Sequence, residues 1–337
     1  VAPTIREVAK RANVGIGTVS RVINHADHVS QATRNQVELV MHELGFTPNP
    51  HARNLKRQTV STLGFFFTST NRRPLSDPFL NTLITGLADA ASVVGFDLLV
   101  ASSREESTEL AQLERLVAGN RVAGLIFTDT RVDDARVKLL RRRKKPFVAF
   151  GRIEPASAGP SIDVDGREGV LRAMKHLFVQ GHTCIGLITL PDFLTCAQDR
   201  LQGYRDAYAW AQRPLEAHYI VRGGLTESDG CRAAEELMAL PSPPTAIVAC
   251  SDVLALGAMR VIQQRGMALG RDMALVGFDD IPVAAYTAPP LTTLRQPIYE
   301  IASELVHMLV RHINGEPVTS RVIQPELVIR ESTSRRV

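Results

Sequence analysis

The chain is short of several things that would assign it to familiar classes. Aromatic residues make up 5% of its 337 positions, tryptophan occurs once, and there are four cysteines. No run of eighteen apolar residues exists, so the sequence offers no membrane-spanning helix. Cys184, Cys196, Cys231 and Cys250 are scattered, with no Cys-x-x-Cys pair and no neighbouring histidine ligands. That spacing argues against a disulfide scaffold or a bound metal and fits thiols in a reducing cytoplasm. The catalytic signatures are missing as well. Gly119-Asn120-Arg121 and Gly223-Gly224 complete neither a dinucleotide-binding nor a phosphate-binding loop, and no nucleophile elbow or His-Glu-x-x-His occurs. The expectation is a non-enzyme without a cofactor. The first residues form a capped basic helix, where an export signal would be apolar.

What is present is concentrated at one end. Thr4 and Glu7 have the spacing of a capping box, so a helix starts at Ile5 with Val8, Ala9 and Ala12 on its inner face. Asn13-Val14-Gly15 breaks it, and Gly15 is the expected site of an unusual backbone conformation. A second helix follows with Val19, Val22 and Ile23 inward. Ser30 caps a third, lined by Val37, Val40, Met41 and Leu44 and closed by Gly45. Two helices around so short a turn suit a helix-turn-helix, whose second helix enters the DNA major groove. Charge agrees: residues 1–57 hold eight bases and four acids, a net +4 that equals the whole chain, while the other 280 residues hold 31 of each. A basic head on a neutral body is the footprint of phosphate contact.

Residues 48–57 then offer Asn49 as a cap, Pro50 at a first helical position and about two turns of helix. So short a helix forms only when packed against something. Leu55, set among Arg53, Lys56 and Arg57, is placed to wedge into a minor groove; otherwise the segment is a plain linker.

From Ser61 onward short apolar runs alternate with helical ones. Strands are expected at Leu63–Phe67, Asp97–Ala101, Val122–Phe127, Phe147–Phe150, Cys184–Thr189, Tyr219–Val221, Ala246–Ala249 and Met273–Phe278. The helices between them run over Phe79–Val94, Glu109–Gly119, Arg167–Gln180, Leu201–Ala211, Gly230–Ala239 and Val253–Arg265. This alternation predicts an α/β fold of parallel sheets flanked by helices. The strands turn polar at their ends, as in Thr128-Asp129, Gly151-Arg152, Ser251-Asp252 and Asp279-Asp280, where open α/β sheets bind ligands. Trp210, in phase with Ala207 and Ala211, is expected in the core. The run from Arg141 to Lys145 directly precedes Pro146 and a strand, so it reads as a solvated helix end, where cations oppose the macrodipole.

The head carries five strings that together are specific: Thr4-Ile5-x-x-Val8-Ala9-x-x-Ala12-x-Val14, Thr18-Val19-Ser20-Arg21-Val22-Ile23-Asn24, Thr33-Arg34-x-x-Val37, Leu44-Gly45-Phe46-x-Pro48-Asn49 and Ala52-Arg53-x-Leu55. The body adds Gly181-His182-x-x-Ile185-Gly186, Asp199-Arg200-Leu201-x-Gly203-Tyr204, Leu256-Gly257-Ala258-Met259-Arg260, Val276-Gly277-Phe278-Asp279-Asp280 and Pro290-Leu291-Thr292-Thr293-Leu294-Arg295-Gln296-Pro297. Through these strings the chain resembles the LacI/GalR family of bacterial transcription regulators, head and body alike.

The resemblance implies a helix-turn-helix headpiece over 1–47, a hinge helix and linker over 48–60, and a two-lobed periplasmic-binding-protein-like core over 61–337. Its first lobe would span about 61–160 and 291–317, its second about 161–290 and 318–337. It also implies a cytoplasmic homodimer on double-stranded operator DNA, with no heptad tail after Glu331 to build a tetramer. Ile16, Gly17 and Arg21 would face bases. Thr4, Thr18, Ser20, Asn24, Ala52, Arg53 and Lys56 would serve the DNA contact, with Leu55 intercalating. Thr68, Asp77, Phe79, Asp165, Arg200, Ser251, Asp279 and Gln296 would face a small-molecule effector.

Two departures matter. Gly15 stands where the family usually has Ser, and Gly17 where it has a side chain able to touch a base. That leaves Arg21 to read a guanine, or else to hold a phosphate, and Ile16 to make only apolar contact. Carboxylates, an Arg fork and an aromatic cover suit a neutral mono- or oligosaccharide, with regulators of α-glucoside uptake the nearest likeness. A purine-type co-repressor or a sugar-transport protein are the alternatives, and a structural ion pair is the competing reading of Arg200 with Asp279.

Overall fold

The computed structural model describes residues 3–23, 28–46, 60–68, 77–103 and 106–333. Contacts divide the chain into two units that meet between Val60 and Ser61. Asn24 and the expected hinge residues Ala52, Arg53, Leu55 and Lys56 lie outside the described residues.

The first unit contains α1 (Ile5–Arg11), α2 (Ile16–Ile23) and α3 (Gln31–Glu43). Its core is small: Val8, Ala9, Ala12, Val19, Val22, Val37 and Val40, with Leu44 and Phe46 against them. Local bonding compensates for the thin core. The Thr4–Glu7 capping box closes in both directions, and Ser30 accepts from the Thr33 amide. Both α1 and α3 end in Schellman motifs, with Val14 N–H on the Ala9 carbonyl (3.0 Å) and Phe46 N–H on the Met41 carbonyl (2.9 Å). The left-handed residue is Gly45 in the second motif but Asn13, not Gly15, in the first, at φ 49°. Asparagine tolerates that region through its short polar side chain, so the turn does not depend on Gly15.

The second unit holds two six-stranded sheets. One contains β1 (Thr62–Thr68), β2 (Asp97–Ser103), β3 (Gly124–Phe127), β4 (Phe147–Phe150), β5 (Ser161–Val164) and β11 (Arg321–Ile323), in the order β11-β5-β4-β3-β1-β2, all parallel. The other contains β6 (Ile185–Thr189), β7 (Ile220–Arg222), β8 (Ala246–Ala249), β9 (Ala274–Asp279), β10 (Thr292–Arg295) and β12 (Glu326–Val328), in the order β12-β10-β9-β8-β6-β7, with only β12 antiparallel.

Sheet membership moves the lobe limits set by sequence. Residues 161–164 and 321–323 join the first sheet, whereas 292–295 join the second. The chain therefore crosses between lobes three times, after β5, β10 and β11. These strands hold three or four residues each, too short for alternation to announce them, and which sheet accepts a short strand is a tertiary choice.

Helices α4 (Pro78–Val93), α5 (Glu106–Ala118), α6 (Ala135–Arg142) and α11 (Ile298–Ile313) serve the first lobe. Helices α7 (Gly166–Val179), α8 (Thr195–Trp210), α9 (Glu227–Met238) and α10 (Asp252–Gln264) serve the second. The basic run does end α6, with Arg143 at its cap and paired to Glu114. Trp210 corrects another expectation. It is 53% exposed, lying beside Phe178 and under the Lys175 ammonium (5.1 Å to the ring centroid), because the last turn of α8 overhangs the edge of its lobe. Among the described residues no helix is long and apolar enough to cross a membrane.

Candidate reading head and interlobe cleft

On the head, the residues expected to read bases share one property. Ile16 is 48% exposed, Gly17 and Arg21 are exposed, and Thr18 and Ser20 are half-buried, while Val19 and Val22 of the same helix are buried. Gly17 faces open space: a Cβ built there meets no atom within 4 Å. Gly15, directly before α2, receives the Thr18 and Val19 amides on its carbonyl but has no side-chain oxygen to cap the helix. Thr4 is spent on its capping box, with its amide on Glu7 Oε2 at 2.6 Å.

In the larger unit a cleft opens between the lobes at the carboxyl ends of β3, β4, β5, β6, β8 and β9, with about 720 Å³ of atom-free space including its mouth. Of the eight residues the resemblance assigned to an effector, Asp77, Phe79, Arg200, Ser251, Asp279 and Gln296 line it. Two of these also hold the fold. Asp77 caps α4 by accepting from the Phe79 (2.9 Å) and Leu80 (3.4 Å) amides, and Ser251 caps α10 by accepting from the Leu254 amide (3.2 Å). Asp165 is not in the lining. It caps α7 through the Glu168 amide (2.9 Å) and accepts from Gln324 Nε2 (3.0 Å), so its carboxylate ties the start of that helix to the residue after β11. Thr68 closes β1, and its side chain lies outside the described part of the structure.

Arg200 and Asp279 do not form an ion pair. The Arg200 guanidinium donates to the Cys250 carbonyl and lies 3.6 Å from the Phe278 ring centroid, whereas Asp279 accepts from Gln296 Nε2 at 2.5 Å. Asp279 takes φ 123° and Asp280 φ 56°, conformations that cost a non-glycine residue energy and turn the two carboxylates apart. Asp280 bonds Arg295 and Arg330, both at 2.7 Å. Phe79 stacks on Phe150 at 5.9 Å to make an apolar wall.

Sequence reasoning missed the rest of the lining: Thr130, Asp163, Leu190, Leu194 and Cys196 foremost. Thr128-Asp129 and Gly151 were visible only as polar strand ends. A carboxylate alternating with apolar residues in Ile162-Asp163-Val164 was the one further signal. Burial pushes the Asp163 carboxyl up to about 6 and the Cys196 thiol up to about 11, which leaves the thiol inert at neutral pH.

The first-lobe wall stands on a buried charge network that no pattern announced. Arg136, 1% exposed, donates to the Thr128 carbonyl (3.0 Å), the Asp129 carbonyl (2.8 Å) and Asp134 Oδ2 (2.6 Å), and faces Phe127 at 4.7 Å. Burial would raise the Asp134 carboxyl, but the Arg136 hydrogen bonds and charge hold it below its usual range. Glu109 joins through Arg136 (3.4 Å) and Arg131 (2.8 Å). The loop so held touches the other lobe. Thr130 and Thr195 hydroxyls meet at 2.7 Å, the Thr195 amide donates to the Thr130 carbonyl at 3.0 Å, and Arg152 reaches Asp199 at 2.7 Å. Among the described residues no group of three or more histidine, cysteine and acidic side chains is placed to hold a metal.

A three-helix head able to present one helix to a groove, joined in one chain to a two-lobed core with a polar cleft, is the plan of a DNA-binding regulator. Comparison with known proteins agrees. Residues 4–49 match the signature of bacterial regulatory proteins of the lacI family, and 174–333 that of the periplasmic binding protein-like domain. The chain is 33% identical over 335 residues to the HTH-type transcriptional repressor CytR of Escherichia coli K12, covering 98% of this chain and 96% of CytR. A solved complex of the transcriptional regulator CelR with cellobiose superposes with TM-score 0.76 at 33% identity, over 98% of this chain and 99% of that one. The lac repressor dimer bound to operator and the anti-inducer ONPF superposes with TM-score 0.89 at 27% identity, over 99% and 100%. The chain belongs to the lacI family of bacterial transcription regulators.

Proposed function

We propose that the protein is a homodimeric repressor whose grip on a palindromic operator is set by an uncharged sugar in the interlobe cleft. The observation that carries this reading is the cleft's equipment. A carboxylate (Asp279), a guanidinium (Arg200) and a stacked aromatic wall (Phe79 and Phe150) share one cavity, the set that grips hydroxyls and covers an apolar sugar face. CelR, related along the whole chain, was solved with cellobiose. On the head, Arg21 reads a guanine and Ile16 makes apolar base contact. Gly17 adds no side chain, Thr18, Ser20 and Asn24 fix the backbone, and Ala52, Arg53, Leu55 and Lys56 complete the contact from the hinge. Lobe closure on the sugar shifts the operator-binding equilibrium by no more than the difference between its affinities for the two states. Thermal-shift screening of sugars, repeated with a palindromic operator fragment present, tests this. A sugar that shifts the melting temperature and changes operator affinity supports it; DNA binding without sequence preference, or indifference to every sugar, contradicts it.

A further inference from the structure

Two groups that line the cleft from different lobes have bonding capacity that the protein does not use. Asp163, on β5, accepts one hydrogen bond at Oδ1, from its own neighbour's amide (Val164, 2.9 Å), and Oδ2 accepts none. The nearby cation Arg152 is taken by Asp199 and Glu154. Arg200, 7% exposed, spends Nη1 on the Cys250 carbonyl, while its buried Nε has no partner. Both residues line the same cavity and are close enough that the Arg200 charge acts on the Asp163 carboxyl. A Cβ at Gly166, one residue past the Asp165 cap, would stand 2.9 Å from Arg200 Cγ and 3.4 Å from Nε, so glycine there is what lets the Arg200 side chain pack against the start of α7.

An ionised carboxylate can only accept and a guanidinium can only donate. A phosphate or carboxylate ligand would satisfy Arg200 but bring its charge against Asp163 and Asp279, and among the described residues the lining contains no lysine to offset that. An ammonium would satisfy Asp163 and face a like charge at Arg200. Neighbouring hydroxyls serve both groups without any charge.

We propose that Asp163 is an effector-contacting residue which, with Arg200, selects an uncharged ligand carrying a vicinal diol, one hydroxyl donating to Asp163 and its neighbour accepting from Arg200. The inference rests on the reading of the cleft as a sugar site and adds to it the group that chooses among sugars.

The test uses the full chain as wild type, Asp163→Asn and Asp163→Ala, titrated with D-glucose, D-galactose, D-ribose, maltose and cellobiose. Monodeoxy derivatives and the 6-phosphate of whichever sugar binds follow. Operator binding and melting temperature report that each variant folds; neither variant leaves a new unpaired charge, so both are expected to. One deoxy position should weaken wild-type binding about 10- to 100-fold, the strength of a hydrogen bond to a charged group. In Asp163→Ala that analogue and its parent should bind alike, with Asp163→Asn between. If Asp163→Ala discriminates the deoxy analogues as wild type does, or if the phosphorylated sugar binds better than the neutral one, the assignment of Asp163 is overturned while the cleft remains a sugar site. If the wild type binds none of the neutral sugars, the sugar reading falls and this proposal with it.

Discussion

The head and the cleft place function on side chains in opposite ways. In the head, Ile16, Gly17 and Arg21 take no part in the core, and the helices are held by caps, Schellman bonds and seven small buried residues. In the cleft nearly every lining polar group does a second job: Asp77 and Ser251 cap helices, Asp279 anchors Gln296, and the Thr128–Thr130 wall hangs from Arg136. Substitution of these exposed head residues is therefore separable from stability, whereas substitution of the polar groups in the cleft is not.

The sharpest way to break the contrast is Arg136→Met. It leaves Asp134 buried without its partner, and a loss of about 3–5 kcal/mol is expected in denaturant unfolding, as for other broken buried pairs. Effector response should fall in whatever protein remains folded. A loss under about 1 kcal/mol would show that the wall does not hang from this network.

Asp163→Asn should act in the other direction. The Asp163 pKa is raised in the folded chain, from the ordinary 3.8 to about 6, so the folded state binds the extra proton. Folding then carries the full cost of ionising this group above pH 6 and none of it below about pH 4. The variant should be more stable than wild type at pH 8 by up to about 3 kcal/mol, with the advantage vanishing as pH falls through that window. Equal melting temperatures at pH 8 would show that the carboxyl is better solvated than its burial implies.

Arg21→Ala should leave stability within about 0.5 kcal/mol, the range for exposed sites. It should relax preference at one base pair per half-site by about 1–3 kcal/mol, read by competition among operator variants. Uniform weakening over all sequences would make Arg21 a phosphate contact. Smallest is Ser251→Ala, which removes a helix cap and should cost about 1 kcal/mol of stability along with part of the effector affinity. Lost affinity at unchanged stability would make Ser251 a ligand group first and a cap second.

How much was legible follows from the range of the forces. The capping box at Thr4, the Ser30 cap, Gly45 and the strands from Phe147 and Ala246 are decided by neighbours within a few residues, and the sequence shows them. The left-handed turn residue was misplaced by two positions because asparagine and glycine both tolerate that conformation. Trp210 was misassigned because helical phase says which residues share a face but not how far a helix overhangs its lobe. In the cleft the motif strings led to Arg200 and Asp279, while Asp165, implied by the resemblance alone, caps α7 outside the lining, since a carboxylate can serve either role.

By itself, then, the sequence determined the periodic elements, the basic head and the family, all of which rest on local patterning and charge. Only the tertiary structure decided which sheet took the short strands 161–164, 292–295 and 321–323. It also decided that Arg136 should be buried under the Thr128–Thr130 wall, and that Asp163 and Arg200, from different lobes, should line one cavity. Those outcomes depend on contacts between residues far apart in the chain, where packing and desolvation, rather than local propensity, set the energy.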